Sequence, residues 1–139
     1  MLECLILGDS IAVGTQMIRH ECLLIGQSGI NSRTWNRNYS KDLQPAKTVV
    51  ISLGSNDHSG VHTFKELMNM RQRVDAERVY WILPAGNLKA GGIDIKDIQA
   101  IVEIIARNYG DTIIPIAQVE KDGIHPSSAG YKEIAAATR

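Results

Sequence analysis

Short apolar runs alternate with stretches of helical period from end to end of this 139-residue chain. The runs are Leu2–Leu7, Cys22–Ile25, Thr48–Leu53, Val79–Leu83 and Thr112–Ile116. Each is short and almost continuously apolar, which is the signature of strands buried on both faces. Between them the period lengthens. Val61, Phe64, Leu67, Met68 and Val74 mark one helical stripe, and Ile98, Ile101, Val102 and Ile105 a cleaner one. Trp35, Tyr39 and Leu43, spaced by four, predict another helix, and Tyr131, Ile134 and Ala135 a last one. A further helix is expected over Ile11–Arg19. Met68 and Met70 read as packing and surface residues. Five strands alternating with helices imply a parallel sheet covered on both faces. Right-handed crossovers then favour a flavodoxin-like, three-layer α/β/α sandwich. The length fits one domain over residues 1–139. No linker or repeat interrupts it, and Gly86–Gly92 reads as a flexible loop at the sheet rim.

In such a sheet, ligands bind outside the carboxyl ends of the strands. The residues just after each strand are therefore the informative ones. Gly8-Asp9-Ser10 comes after the first, Gln27-Ser28-Gly29 after the second, Gly54-Ser55-Asn56-Asp57 after the third, and Asp122-Gly123-Ile124-His125 after the fifth. Taken singly, each cluster has an ordinary explanation. Ser10 could be a helix N-cap, Asp122-Gly123 a tight turn, Asn56 a turn residue and Gly29 a loop glycine. Together they supply a serine at a helix start, where free N–H groups suit an oxyanion, and a histidine whose backbone is restricted by Pro126. Asp122, three residues before His125, can reach one imidazole nitrogen while the other faces outward.

In this order, each after its own strand, the blocks resemble those of the SGNH (GDSL-like) hydrolases. That family carries a GDS nucleophile motif, an isolated glycine, G-x-N-D and D-x-x-H. Here they read Gly8-Asp9-Ser10, Gly29, Gly54-Ser55-Asn56-Asp57 and Asp122-Gly123-Ile124-His125, so the resemblance runs from residue 8 to about residue 131. It implies the flavodoxin-like SGNH fold with a five-stranded parallel sheet. It also implies a serine esterase with Ser10 as nucleophile, His125 as general base and Asp122 orienting it. The Ser10 and Gly29 amides and the Asn56 side chain would form the oxyanion hole. Ile11 stands where the family usually has leucine, a conservative change. The chain is also short for the family, so an open site and small acyl groups, such as acetyl on a carbohydrate, are expected. A non-catalytic module binding a glycan or peptide on the same rim is the competing reading. An α/β-hydrolase elbow would need G-x-S-x-G, and Gly8–Ala12 ends in alanine. The G-x-G-x-x-G of a dinucleotide site is also absent after the first strand.

Composition narrows the partners. With 15 basic and 15 acidic residues the formal net charge is zero, which disfavours nucleic acid. Arg71, Arg73 and Arg78 come nearest to a basic stripe, but Asp75 and Glu77 interrupt it, and a solvated face is the expected reading. His58 and His62 are the nearest approach to a metal pair. Ser59-Gly60 between them argues against one helix, so neither a metal nor an organic cofactor is expected, and the two histidines read as substrate contacts or surface residues. Cys4 and Cys22 lie in apolar runs and read as free, buried thiols in a reducing compartment, unless adjacent strands pair them. No apolar stretch is long enough to span a membrane, and Met1–Leu7 lacks the basic start of a signal peptide. The expectation is a soluble chain, cytoplasmic by default unless a viral particle or another route carries it out.

Overall fold

The computed structural model describes residues 1–86 and 92–139. The expectation of a rim loop over Gly86–Gly92 falls mostly on residues outside these. Five strands, β1 (Leu2–Gly8), β2 (Leu23–Gly26), β3 (Ala46–Ser52), β4 (Ala76–Ile82) and β5 (Thr112–Ile114), form one sheet in the order β2-β1-β3-β4-β5. Every pairing is parallel, with Leu5 beside Leu23 and Val49 in the central ladders and Ile82 beside Ile114 at the far edge. This is the expected flavodoxin-like order.

The two faces of the sheet explain the continuous apolar runs. On one face Leu5, Leu7, Val49, Ile51, Val79 and Trp81 pack under α2 (Ser32–Tyr39), α3 (Thr63–Arg73) and α4 (Ile95–Tyr109). On the other, Cys4, Ile6, Val50 and Ile82 meet α1 (Ser10–Ile18) and α5 (Ser128–Ala137), through Ile11, Ala12 and Ile134. Alternate residues of one strand thus enter different cores, as the strand's period of two requires. The helices bury the stripes their sequences present. In α4 the buried set is Ile95, Ile98, Val102, Ile105 and Ala106, with an Asp94 N-cap and left-handed Gly110 ending the helix.

Several expectations need correction at element ends. Val61 and Val74 flank α3 rather than belonging to it, and Leu43 is extended beyond a short 3₁₀ turn at Ser40–Asp42. Phe64 is 42% exposed and leaves the stripe, whereas Met70 is buried inside it. Of the interrupted basic stripe, Arg73, Asp75, Glu77 and Arg78 are exposed as a solvated face would be, and Arg71 alone departs from it. Arg71 is buried, and its Nε and Nη2 donate to the Asp111 carboxylate at 2.7 and 2.9 Å. Trp81 Nε1 donates to the same carboxylate, and the guanidinium stacks 4.2 Å over the Tyr109 ring. This cluster stands at the amino end of β5, beside Trp81 of β4, and shares no residue with the clusters that follow the strands.

The cysteines overturn the free-thiol expectation. Cys4 and Cys22 form a disulfide with Cα atoms 4.8 Å apart. The ladder register explains it: Leu5 pairs with Leu23, so the residue before each lies side by side on neighbouring parallel chains. Closing a loop of sequence separation 18 restricts the unfolded chain by about 3 kcal/mol. We therefore expect the unreduced protein, denatured in urea, to show no free thiol toward a chromogenic disulfide reagent. The Cys4→Ser/Cys22→Ser variant should unfold at lower urea, with ~2–3 kcal/mol less stability. An unchanged midpoint would show that the bridge does not stabilise the fold.

Candidate active site

The carboxyl end of β1 is crowded in a way only glycine permits. A Cβ at Gly8 (φ +137°) would lie 1.7 Å from the Ser52 carbonyl oxygen, and one at Gly26 would lie 2.0 Å from that of Gly8. The three strand ends consequently close together, with Asp9 N donating to Ser52 O and Gln27 N to Gly8 O, both at 3.0 Å. The chain then turns at once into α1. The N-cap of that helix is Asp9, not Ser10: its Oδ1 accepts from Ile11 N at 3.0 Å and from the Ser52 hydroxyl at 2.9 Å. Capping by Asp9 leaves the Ser10 side chain free.

Ser10 Oγ lies 3.0 Å from His125 Nε2, and His125 Nδ1 lies 2.6 Å from Asp122 Oδ2. The loop after β5 holds this geometry locally. Asp122 Oδ1 accepts the amides of Ile124 and His125 at 2.8 and 3.0 Å, across a turn in which Gly123 has φ +69°. Glu120 N donates to His125 O, and Ser127 N to Gln118 O, so the loop is tied to itself on both sides of Pro126. Pro126 precedes α5, whose N-cap is Ser127. Asp122 and His125 are both half-exposed, with side chains 44% and 42% accessible. The hydrogen bond to His125, followed by those from the two amides, holds the Asp122 carboxyl down at about 2. Asp122 is therefore ionised at any ordinary working pH.

Gly29 and Asn56 come from two further loops of the same rim. Gly29 has φ +79°, which strains any other residue, and the space its side chain would fill is empty. One Asn56 Nδ2 hydrogen goes to Ile30 O at 3.2 Å, which ties this side chain to the Gly29 segment and leaves the second hydrogen to be aimed elsewhere. Asp57 reinforces the tie. It is 5% exposed, with Oδ1 accepting Ser32 N at 2.8 Å and Oδ2 accepting the hydroxyls of Ser32 and Thr63 at 2.7 and 2.8 Å. One carboxylate thus joins the start of α2, the start of α3 and the loop that carries Asn56.

His58 does not join the Ser10 array. Its Nδ1 accepts from Gly60 N within its own loop, and His62 is a separate, exposed residue at the start of α3. Among the described residues no group of three His, Cys, Asp or Glu side chains could hold a metal. Sequence patterns alone assign no role to Asp9, Ser52, Asp57, Ser32 or Thr63. An aspartate just before a helix start is a readable capping signal. The Ser52 and Thr63 bonds join distant segments and leave no local trace.

The chain matches no family model and no curated protein. Solved structures do resemble it. A GDSL-like lipase from Bacteroides thetaiotaomicron superposes with a TM-score of 0.74 at 19% identity, over 97% of this chain and 84% of that one. An acetylxylan esterase from Geobacillus stearothermophilus superposes with a TM-score of 0.65 at 17% identity, over 97% and 91%. The fold is therefore the one these enzymes share, the SGNH hydrolase fold.

Burial without a full set of partners raises the Asp9 carboxyl to about 6. Desolvation dominates, opposed by the Ser52 hydroxyl and the Ile11 amide, while Oδ2 has no partner. Below about pH 4 this carboxyl is protonated in both folded and unfolded chains. Between about 4 and 6 the folded chain holds the proton that the unfolded chain has released, so stability falls as pH rises. Above about 6 the loss is complete, at most ~3 kcal/mol. Asp9→Asn keeps the Oδ1 acceptor but cannot ionise. Its stability, measured by urea unfolding from pH 4 to 8, should lack this decline; a decline parallel to that of the parent protein would refute the assignment.

Proposed function

We propose that this SGNH-fold chain is a serine esterase that cleaves small acyl esters, acetyl-like and borne on a carbohydrate, through an acyl-enzyme. The observation that carries the reading is the continuous hydrogen-bonded line from Ser10 Oγ through the His125 ring to Asp122. Ser10 attacks the ester carbonyl while His125 Nε2 takes its proton, and Asp122 holds the ring in the tautomer that leaves Nε2 free to accept. The Ser10 amide sits at the start of α1, where N–H groups lack helical partners. With the Gly29 amide and the remaining Asn56 Nδ2 hydrogen it would hold the oxyanion. His125 then protonates the leaving alcohol, and in the second half it activates the water that frees the acid. This series of steps needs no metal or organic cofactor.

The lipase and esterase that share the fold support ester hydrolysis as the reaction class. Carbohydrate as the alcohol part rests on the half-exposed His125 and Asp122, because an open site accommodates a large polar leaving group better than a long acyl chain. Among the described residues no helix is long and apolar enough to cross a membrane, and the site is read as meeting its substrate from water.

A fluorophosphonate probe should add to Ser10 and to no other serine, as peptide mapping of the labelled protein would show. A folded protein that stays unlabelled would instead favour a non-catalytic module that binds glycan or peptide. On p-nitrophenyl acetate, Asn56→Ala should lower kcat by roughly 10²–10³ with little change in KM, as expected for one oxyanion donor. An unaltered kcat would remove Asn56 from the hole. Asp122→Asn should cut kcat sharply, because an amide can hold the imidazole in the wrong tautomer. Full activity in that variant, with the fold intact by circular dichroism, would leave Asp122 a turn residue only.

A further inference from the structure

The chain has no net charge, yet its arginines are unevenly used. Arg19 and Arg139 pair with Glu21, and Arg71 pairs with Asp111. Arg33, Arg37 and Arg73 behave differently. All three line one groove of about 300 Å³ between α2 and α3, together with Asn36, Glu66 and Asn69. Among the described residues none of these three guanidiniums forms an ion pair. The one carboxylate in the groove, Glu66, accepts instead from Asn36 Nδ2 at 2.9 Å, and the same Nδ2 donates to the Glu66 carbonyl at 2.8 Å. Three cations against one occupied anion leave the groove with a local excess of positive charge and with donors that lack acceptors.

Its position connects it to the catalytic rim. Both α2 and α3 begin at that rim, where Asp57 joins their first residues. Arg33, the second residue of α2, donates to Gly60 O in the loop that also carries Asn56. Arg37 lies one helical turn further on, about 6 Å along the axis. Arg73 closes the far end, as the last residue of α3. The cations are thus strung along a path that leaves the Ser10 site and runs down the molecule's flank. A row of planar, forked donors suits repeated carboxylate or sulfate groups on an extended chain better than a single small anion.

We propose that the groove between α2 and α3 is a subsite for the anionic groups of an acidic glycan, whose ester is presented to Ser10. The proposal rests on the esterase reading above and narrows its substrate. It accounts for three of the five arginines that form no ion pair among the described residues lining one groove, Arg78 and Arg107 lying apart from it. Neutral glycans would use the catalytic rim without this flank, and nucleic acid is disfavoured by the zero net charge of the chain.

The test uses the Arg37→Ala/Arg73→Ala variant, which spares Arg33 and every group assigned to the reaction. Hydrolysis is measured on p-nitrophenyl acetate, an acetylated neutral xylo-oligosaccharide, an acetylated uronate oligosaccharide and an acetylated sulfated one. The parent protein should prefer one of the acidic substrates, and which one identifies the anion. The variant should lose roughly fivefold to tenfold in kcat/KM on that substrate, through KM, with changes below about twofold on the two neutral ones. The acidic-substrate KM of the parent should also rise with added salt. Equal losses on neutral and acidic substrates, or no loss on either, would overturn the subsite. If p-nitrophenyl acetate is not cleaved at all, the esterase reading fails separately. The groove is then judged by calorimetric binding of the unesterified uronate and sulfated oligosaccharides, which the parent should bind and the variant should not. Binding of a single-stranded oligonucleotide as tightly as the acidic glycan would also overturn the proposal.

Discussion

The buried carboxylate of Asp9 is the contact on which the arrangement of the rim depends. It is fully inaccessible, it caps α1, and it holds the Ser52 hydroxyl at the end of the neighbouring strand. The first helical residue after it can therefore present its side chain outward instead of closing the helix. Desolvating a carboxylate for this purpose is unfavourable, and that burial, only partly offset by its hydrogen bonds, is the reason it titrates so far above an ordinary aspartate. Backbone crowding at Gly8 and Gly26 adds a geometric requirement: with any side chain there, β1, β2 and β3 could not end at the same level.

A second buried carboxylate, Asp57, plays the matching part on the other side of the rim. It binds groups from three segments, so the loop bearing Asn56 is fixed with respect to α2 and α3 rather than to its own strand alone. The catalytic-loop carboxylate, Asp122, differs from both. Half-exposed and supported by an imidazole and two amides, it stays ionised because these bonds outweigh the desolvation it suffers. The protein thus uses aspartate in three electrostatic settings within one rim. A buried ion pair stands apart from these, where Arg71 and Asp111 tie α3 to the start of β5.

Much of this architecture is legible in the residues, and the exceptions have physical causes. Strands buried on both faces show as apolar runs, and all five are readable to within a few residues. The first three rim clusters follow their strands within a few residues, where polar residues have little freedom of placement, whereas Asp122–His125 lies on a longer loop after β5 that is held by its own hydrogen bonds. Helix ends are less legible. Val61, Val74 and Leu43 are apolar and near the cores, but they reach them from loops, and periodicity cannot tell a helical residue from a flanking one. Arg71 reads as a surface cation because its partner Asp111 lies 40 positions away. The disulfide is obscured for a related reason: only the pairing register of β1 and β2 puts Cys4 beside Cys22.

That bridge also bears on how the sheet resists unwanted association. Its two edges are its shortest strands, β2 with four residues and β5 with three. A short edge offers an incoming chain few unpaired amides and carbonyls, so templated growth of the sheet is poorly supported. Domain swapping is a separate hazard, in which an edge strand detaches and docks on a second molecule. At β2 the first strand holds its neighbour covalently as well as by hydrogen bonds, so the strand cannot leave without its own β1. The oxidised protein is accordingly guarded at that edge against exchange of β2, by connectivity rather than by charge.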